Sequence, residues 1–211
     1  TWMSRGSFKL NHRVVSVCAM SAPRMGLVSS ALLAAKAIYT LRPRFICMTG
    51  ICAGVEGKVD RGDVLVANPS WNWQSGKHKV TDLGPQFNAS PHDIPLPEHI
   101  ANRIEQLNSD RAAMARIKSG FTAPPVKNEL NIRCGPVASG SAVVADEDVL
   151  AKLIDVDRGM FGLEMEIYGL YAAAYSASRP RPTPIAFKRV CDFGSKDKND
   201  AYQVYAAYTS A

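Results

Sequence analysis

Short apolar runs bounded by turn residues alternate along this chain with helix-length amphipathic patterns, and that alternation restricts the fold more than any other feature. "RVVSVCAM" (13–20), "RFICMTG" (44–50), "GDVLVANP" (62–69), "IRCGPVASG" (132–140), "GMFGLEM" (159–165) and "PIAFKRVCD" (184–192) have the length and composition of buried strands. Helical patterns occupy 25–41, 96–107, 146–154, 166–177 and 199–210. Strands interleaved with helices predict an α/β fold: a mixed, partly parallel central sheet flanked by helices on both faces. The 211 residues are expected to make one such domain.

Composition narrows the function classes. Hydrophobic residues at 46% and charged residues at 21% are ordinary for a soluble globular protein, and no apolar run approaches the length of a membrane span. The opening "TWMSRGSFKLNHR" lacks the apolar stretch of a signal peptide, so the cytoplasm is the expected location. Cys18, Cys47, Cys52, Cys134 and Cys191 form no C-x-x-C pair and mostly lie in apolar runs, which predicts reduced thiols. The four histidines are scattered, so neither a metal nor another cofactor is expected. A net charge of +6 is spread without a basic block, which favours small anions over nucleic acid as partners. The least regular stretch, 68–95, reads equally as a lid or partner contact and as a mobile surface excursion; Trp71 and Trp73 within it are contact residues or core residues.

In an open α/β sheet, ligands bind at the carboxyl ends of strands. Three expected strand ends carry unusual text. "MTGICAG" (48–54) is a small-residue turn in which Gly50 and Gly54 permit close approach of backbone amides to a ligand, or it is a plain tight turn. "GLEMEIYGLYAAA" (162–174) places Glu164 and Glu166 in text otherwise suited to a core, where carboxylates are costly unless compensated. Glu166 at a helix start meets the positive end of the helix dipole, and an ionised carboxylate can accept two hydrogen bonds from vicinal hydroxyls. "AFKRVCDFGSKDKND" (186–200) ends an apolar strand with Asp192, a partly desolvated carboxyl of the kind that serves as a proton donor. Lys188, four residues earlier, is expected on the same strand face, paired with Glu164 or Asp192.

Together these stretches resemble the nucleoside phosphorylase/nucleosidase superfamily, closest to the 5′-methylthioadenosine/S-adenosylhomocysteine nucleosidases. "MTGICAG" with "GDVLVA" looks like N-T-G-S-A-G-G…G-D-I-V-V, "VASGSAVV" like S-G-D-x-F-I, "LEMEIYGLY" like V-E-M-E-x-x-G-x-x, and "FKRVCD" like V-R-A-I-S-D. The resemblance implies a purine nucleosidase that hydrolyses an N-glycosidic bond, with a phosphorylase or a catalytically weak nucleoside sensor as alternatives. It implies Glu166 on the ribose hydroxyls, Met165 packed on the sugar, Glu164 as structural neighbour and Asp192 as proton donor to the purine. Val143, Val144, Gly50 and Ile51 would line the base and sugar pocket.

The departures are informative. Val143 replaces the family's stacking Phe, Ile51 its Ser or Thr, and Met48 stands where phosphorylases hold phosphate with Arg, which favours hydrolysis. Arg24 in "SAPRMG" (21–26) sits where the family has S-G-I-G-K and hints at a phosphorylated substrate. The family's first strand, bearing a water-activating glutamate, has no counterpart before residue 13, so a truncated piece of a larger protein is expected. The resemblance also implies a homodimer or higher homo-oligomer.

Overall fold

The computed structural model describes residues 3–82, 84–120, 129–144, 146–194, 206–208 and 210. Its centre is a closed five-stranded barrel, ordered β3 (Phe45–Gly54), β8 (Gly162–Glu164), β7 (Ile132–Ser139), β4 (Val64–Asn72) and β9 (Thr183–Asp192). Strands β3/β9, β4/β7 and β7/β8 run parallel, while β3/β8 and β4/β9 run antiparallel, so the expected mixed sheet is present and closes on itself. Val64, Leu65, Val66 and Ala67 are all buried, as a strand covered on both faces requires.

Apolar side chains collect in two clusters. One joins the barrel to α1 (Leu27–Leu41), α2 (Glu98–Ser109), α3 (Arg111–Ser119) and α5 (Ile167–Ser176). The other joins Trp71, Ala138, Met160 and Leu163 to α4 (Glu147–Val156). Helix α1 lies against α5 through small residues, and the crossing is tight: a Cβ on Gly169 would stand 2.4 Å from the Leu27 carbonyl oxygen. Helix α4 starts on Asp146, whose side chain accepts from the amides of Asp148 and Val149.

Several expectations change. The run 13–20 is a strand, β2 (Arg13–Met20), but not a buried one: it pairs with β1 (Met3–Leu10) in a separate hairpin that leaves Phe8, Leu10 and Val14 exposed. A strand's faces are buried only where another layer packs on them, and among the described residues β2 pairs with β1 alone in a two-stranded sheet. "MTGICAG" is no turn, since β3 runs through Gly54. Within 68–95, β4 continues to Asn72 and a hairpin of β5 (Gly76–Thr81) and β6 (Gly84–Ala89) follows. Trp71 is a core residue, 1% exposed, which removes it as a lid or contact residue. The expected helix 199–210 lies largely outside the described residues, with 206–208 helical. Among the described residues no helix is long and apolar enough to cross a membrane.

Candidate active site

Strand β3 brings the two acidic stretches together. Its Ala53 pairs with Leu163 of β8 on one side and with Asp192 of β9 on the other. The Glu164 and Asp192 strand ends therefore flank one strand, two interstrand spacings or about 10 Å apart.

On the β8 side, β8 stops at Glu164, Met165 and Glu166 form a bend, and α5 begins at Ile167. The two carboxylates consequently do different things. Glu164 is buried, 6% exposed, and turns into the start of α5, where it accepts from the amides of Glu166 at 2.7 Å and Ile167 at 2.9 Å. It also accepts from the Ser139 hydroxyl. Helix starts leave such amides without partners, so Glu164 is a cap and an anchor. Glu166 points away from its own helix: Oε1 accepts from the Gly26 amide at 3.2 Å, and Oε2 from Lys188 at 2.7 Å. The Ser30 hydroxyl donates to the Glu166 carbonyl, so the 21–26 loop and the start of α1 are fastened to this bend.

Lys188 compensates both acids. Its Nζ lies 3.2 Å from Glu164 Oε2 and 2.7 Å from Glu166 Oε2, in a side chain that is almost wholly buried. Burial works against the ammonium, but the two carboxylates hold its pKa above the ordinary lysine value. Burial likewise pushes Glu166 up, yet Lys188 and the Gly26 amide outweigh it and leave this carboxyl below its ordinary range. Gly50 belongs to this arrangement: a Cβ there would stand 3.3 Å from Lys188 Nζ, and its amide donates to the Ser210 hydroxyl. The glycine makes room for an ammonium, where amide approach to a ligand was expected.

On the β9 side, Asp192 is 8% exposed. Its Oδ1 accepts from the Gly194 amide at 2.8 Å, and Gly194 has φ +71°, a conformation glycine adopts freely. A Cβ on Gly194 would stand 3.8 Å from the Val144 carbonyl oxygen, which sets the 143–144 segment beside the Asp192 turn. Val143 is exposed and Val144 half-buried against the α4 cluster. Lys188 pairs with Glu164 and Glu166, not with Asp192. Between Cys52 and Ala53 the β3/β9 register shifts, so counting alternate residues from Lys188 does not carry to Asp192.

Ile51 and Met165 are half-buried, and Met48 packs on the barrel core. Arg24 is exposed in the loop whose Gly26 holds Glu166. Cys52 is fully buried between the two halves; burial raises its thiol pKa well above normal, Lys188 opposes this, and Glu164 and Asp192 add to it. Two surface hollows lie elsewhere, one of about 460 Å³ beside Ile104 and Arg133 and one of about 420 Å³ beside His92 and Tyr168. Neither is lined by Glu164, Glu166 or Asp192.

Residues 5–198 match the family model for the phosphorylase superfamily. The chain belongs to the phosphorylase superfamily. Among similar proteins, the uncharacterized protein y4jS of Sinorhizobium fredii (strain NBRC 101917 / NGR234) is 29% identical over 97% of this chain and 50% of its own length. The ATP nucleosidase Cap17 of Escherichia coli (strain KTE188) is 23% identical over 88% of this chain and 38% of its own. The chain thus spans about half or less of the length of these curated relatives. A crystal structure of 5′-methylthioadenosine/S-adenosylhomocysteine nucleosidase from Helicobacter pylori superposes with a TM-score of 0.71 at 13% identity, covering 98% of this chain and 80% of that one. For a phosphorylase-superfamily chain, the residues that sequence reading left out of the site are Ser139 and Gly26, and it left the partner of Lys188 open. Their contacts join segments 25 to 140 residues apart, and no local pattern signals them.

Proposed function

We propose that this protein is a purine nucleosidase: it hydrolyses the N-glycosidic bond of a nucleoside or nucleotide, releasing free base and a ribosyl product. The observation that carries the reading is the placement of a compensated, ionised Glu166 and a separate buried Asp192 on either side of β3. Breaking the bond requires a proton on the leaving base and tolerance of positive charge on the sugar. In this reading Asp192 gives the proton, and Glu166 binds the ribose hydroxyls with Met165 packed on the sugar. Glu164 holds the bend, Val143 and Val144 flank the base, and Gly50 and Ile51 form the floor near the sugar. The packing of Met48 on apolar neighbours supports water over phosphate as the acceptor.

Adenine nucleotides are the favoured substrates, supported by the relatives whose names describe ATP nucleosidases and by the exposed Arg24 beside the Glu166 loop. The reading includes a homo-oligomer, supported by the exposed Val28, Leu32 and Tyr39 along α1 and by the exposed Met25 in the loop before it. The five free cysteines suit a reducing compartment such as the cytoplasm.

Incubation with ATP, adenosine, inosine, methylthioadenosine and S-adenosylhomocysteine, with free base followed by chromatography, tests the reading. Base release without added phosphate is the expected result. Release that requires phosphate makes the protein a phosphorylase, and binding without release makes it a sensor.

A further inference from the structure

Asp192 sits one residue out of step with its sheet. Pairing between β3 and β9 proceeds residue for residue until Cys52 stands opposite Val190, and then Ala53 stands opposite Asp192. Cys191 is the extra residue, a bulge of the kind that re-aims a side chain beside a working site. Its side chain is buried between two acceptors: Sγ lies 3.3 Å from Asp192 Oδ2 and 3.4 Å from the Cys52 carbonyl oxygen.

A thiol has one hydrogen to donate, so it favours one of these acceptors at a time. Which one depends on Asp192. A neutral carboxyl is a poor acceptor and leaves the S–H to the Cys52 carbonyl, whereas an ionised carboxylate draws the S–H strongly. We propose that Cys191 is a positioning residue whose S–H turns from the Cys52 carbonyl to Asp192 Oδ2 as Asp192 gives up its proton. The proposal rests on the reading of Asp192 as the acid. The transferred proton passes from the Asp192 carboxyl to the ring nitrogen of the leaving purine as the C–N bond breaks, and Cys191 keeps its own hydrogen throughout. A bond that strengthens as charge develops lowers the barrier without tightening substrate binding. Because S–H is a weak donor, the effect is about tenfold.

Cys191→Val removes the donor and Cys191→Ser retains one. With ATP and methylthioadenosine as substrates, Cys191→Val is expected to lower kcat about tenfold at nearly unchanged KM, while Cys191→Ser keeps most of the wild-type kcat. In infrared spectra of the free protein, the S–H band lost in Cys191→Ser is expected to move to lower frequency on raising the pH of wild type, as Asp192 loses its proton, and to stay in place across the same pH range in Asp192→Asn. That second readout decides the matter even if neither compound is cleaved. Wild-type kcat in Cys191→Val, equal loss in both cysteine variants, or an S–H band that ignores pH in wild type or still follows it in Asp192→Asn overturns the proposal. Full activity of Asp192→Asn removes the acid reading along with it, whereas failure of the cysteine arms alone leaves that reading standing.

Discussion

Lys188 and Glu166 form a 2.7 Å ion pair, and the same ammonium reaches Glu164 at 3.2 Å, so one buried cation answers for two carboxylates on either side of Met165. Removing it leaves two acids uncompensated in a site shielded from water. Lys188→Met is therefore expected to destabilise the protein by about 3–5 kcal/mol, as breaking a buried pair does. Denaturant unfolding checks this. A variant as stable as wild type means that the carboxylates find other partners.

The two glutamates are expected to part company on mutation. Glu164 closes the start of α5 and binds Ser139, so Glu164→Ala removes a cap and strands buried amides, at a cost of about 2–3 kcal/mol. Glu166 makes its side-chain bonds to a loop amide and to Lys188, and Glu166→Gln keeps its shape and part of that bonding. The proposed base release is expected to fall at least about 100-fold in Glu166→Gln, with less than half the Glu164→Ala loss of stability. Activity assays beside thermal melts separate the two roles.

How far these roles were legible in sequence depends on what each residue contacts. Strands β3, β4, β7 and β9 were readable because strands inside a barrel are apolar almost throughout. The β5–β6 hairpin was not, since "GKHKVT" and "GPQFNA" are polar, exposed and held mainly to each other. Helix α3 was missed because nine residues rich in charge carry only one buried side chain, Met114. At the site, Glu166 and Asp192 stood out as carboxylates in apolar text. Of the two partners expected for Lys188, Glu164 holds and Asp192 does not, because alternation along β9 breaks at Cys191, and a bulge leaves no mark in composition.

Asp192 gains its orientation from a turn that only glycine closes without strain. Gly194 donates its amide to Asp192 Oδ1 at φ +71°, so Gly194→Ala is expected to disturb the carboxyl without altering its chemistry. Asp192→Asn retains the turn and loses the acid. Both variants are expected to fold, with base release reduced about tenfold or more in Gly194→Ala and at least about 100-fold in Asp192→Asn. Equal rates in wild type and Asp192→Asn would remove this residue from the reaction.

Gly169 couples packing to the site from a distance. A Cβ at this position would press on the Leu27 carbonyl at 2.4 Å and the Ala31 amide at 3.1 Å, so α1 has to move away from α5. The loop that supplies the Gly26 amide to Glu166 leads directly into α1. Gly169→Ala is expected to cost about 1–3 kcal/mol through overpacking and to weaken substrate binding as well. Unfolding measurements together with KM test both parts, and an unchanged KM would mean that α1 gives way without shifting its leading loop.

The pH dependence follows from the signs of two opposed shifts. Glu166 is held below its ordinary value of 4.5, so its contribution to stability is complete above that pH and is lost as pH falls through the lower, folded value. Lys188 is held above 10.5, so its contribution is complete below that pH and is lost as pH rises through the higher, folded value. The ion pair is thus fully charged across the whole neutral range. The stability difference between wild type and Glu166→Gln is expected to stay flat from about pH 6 to 9 and to shrink in acid below 4.5. Melting temperatures of the two proteins across pH read this directly. A difference that already fades near neutrality would mean that desolvation of Glu166 outweighs the pull of Lys188, which would leave the acid partly protonated where the proposed chemistry needs it ionised.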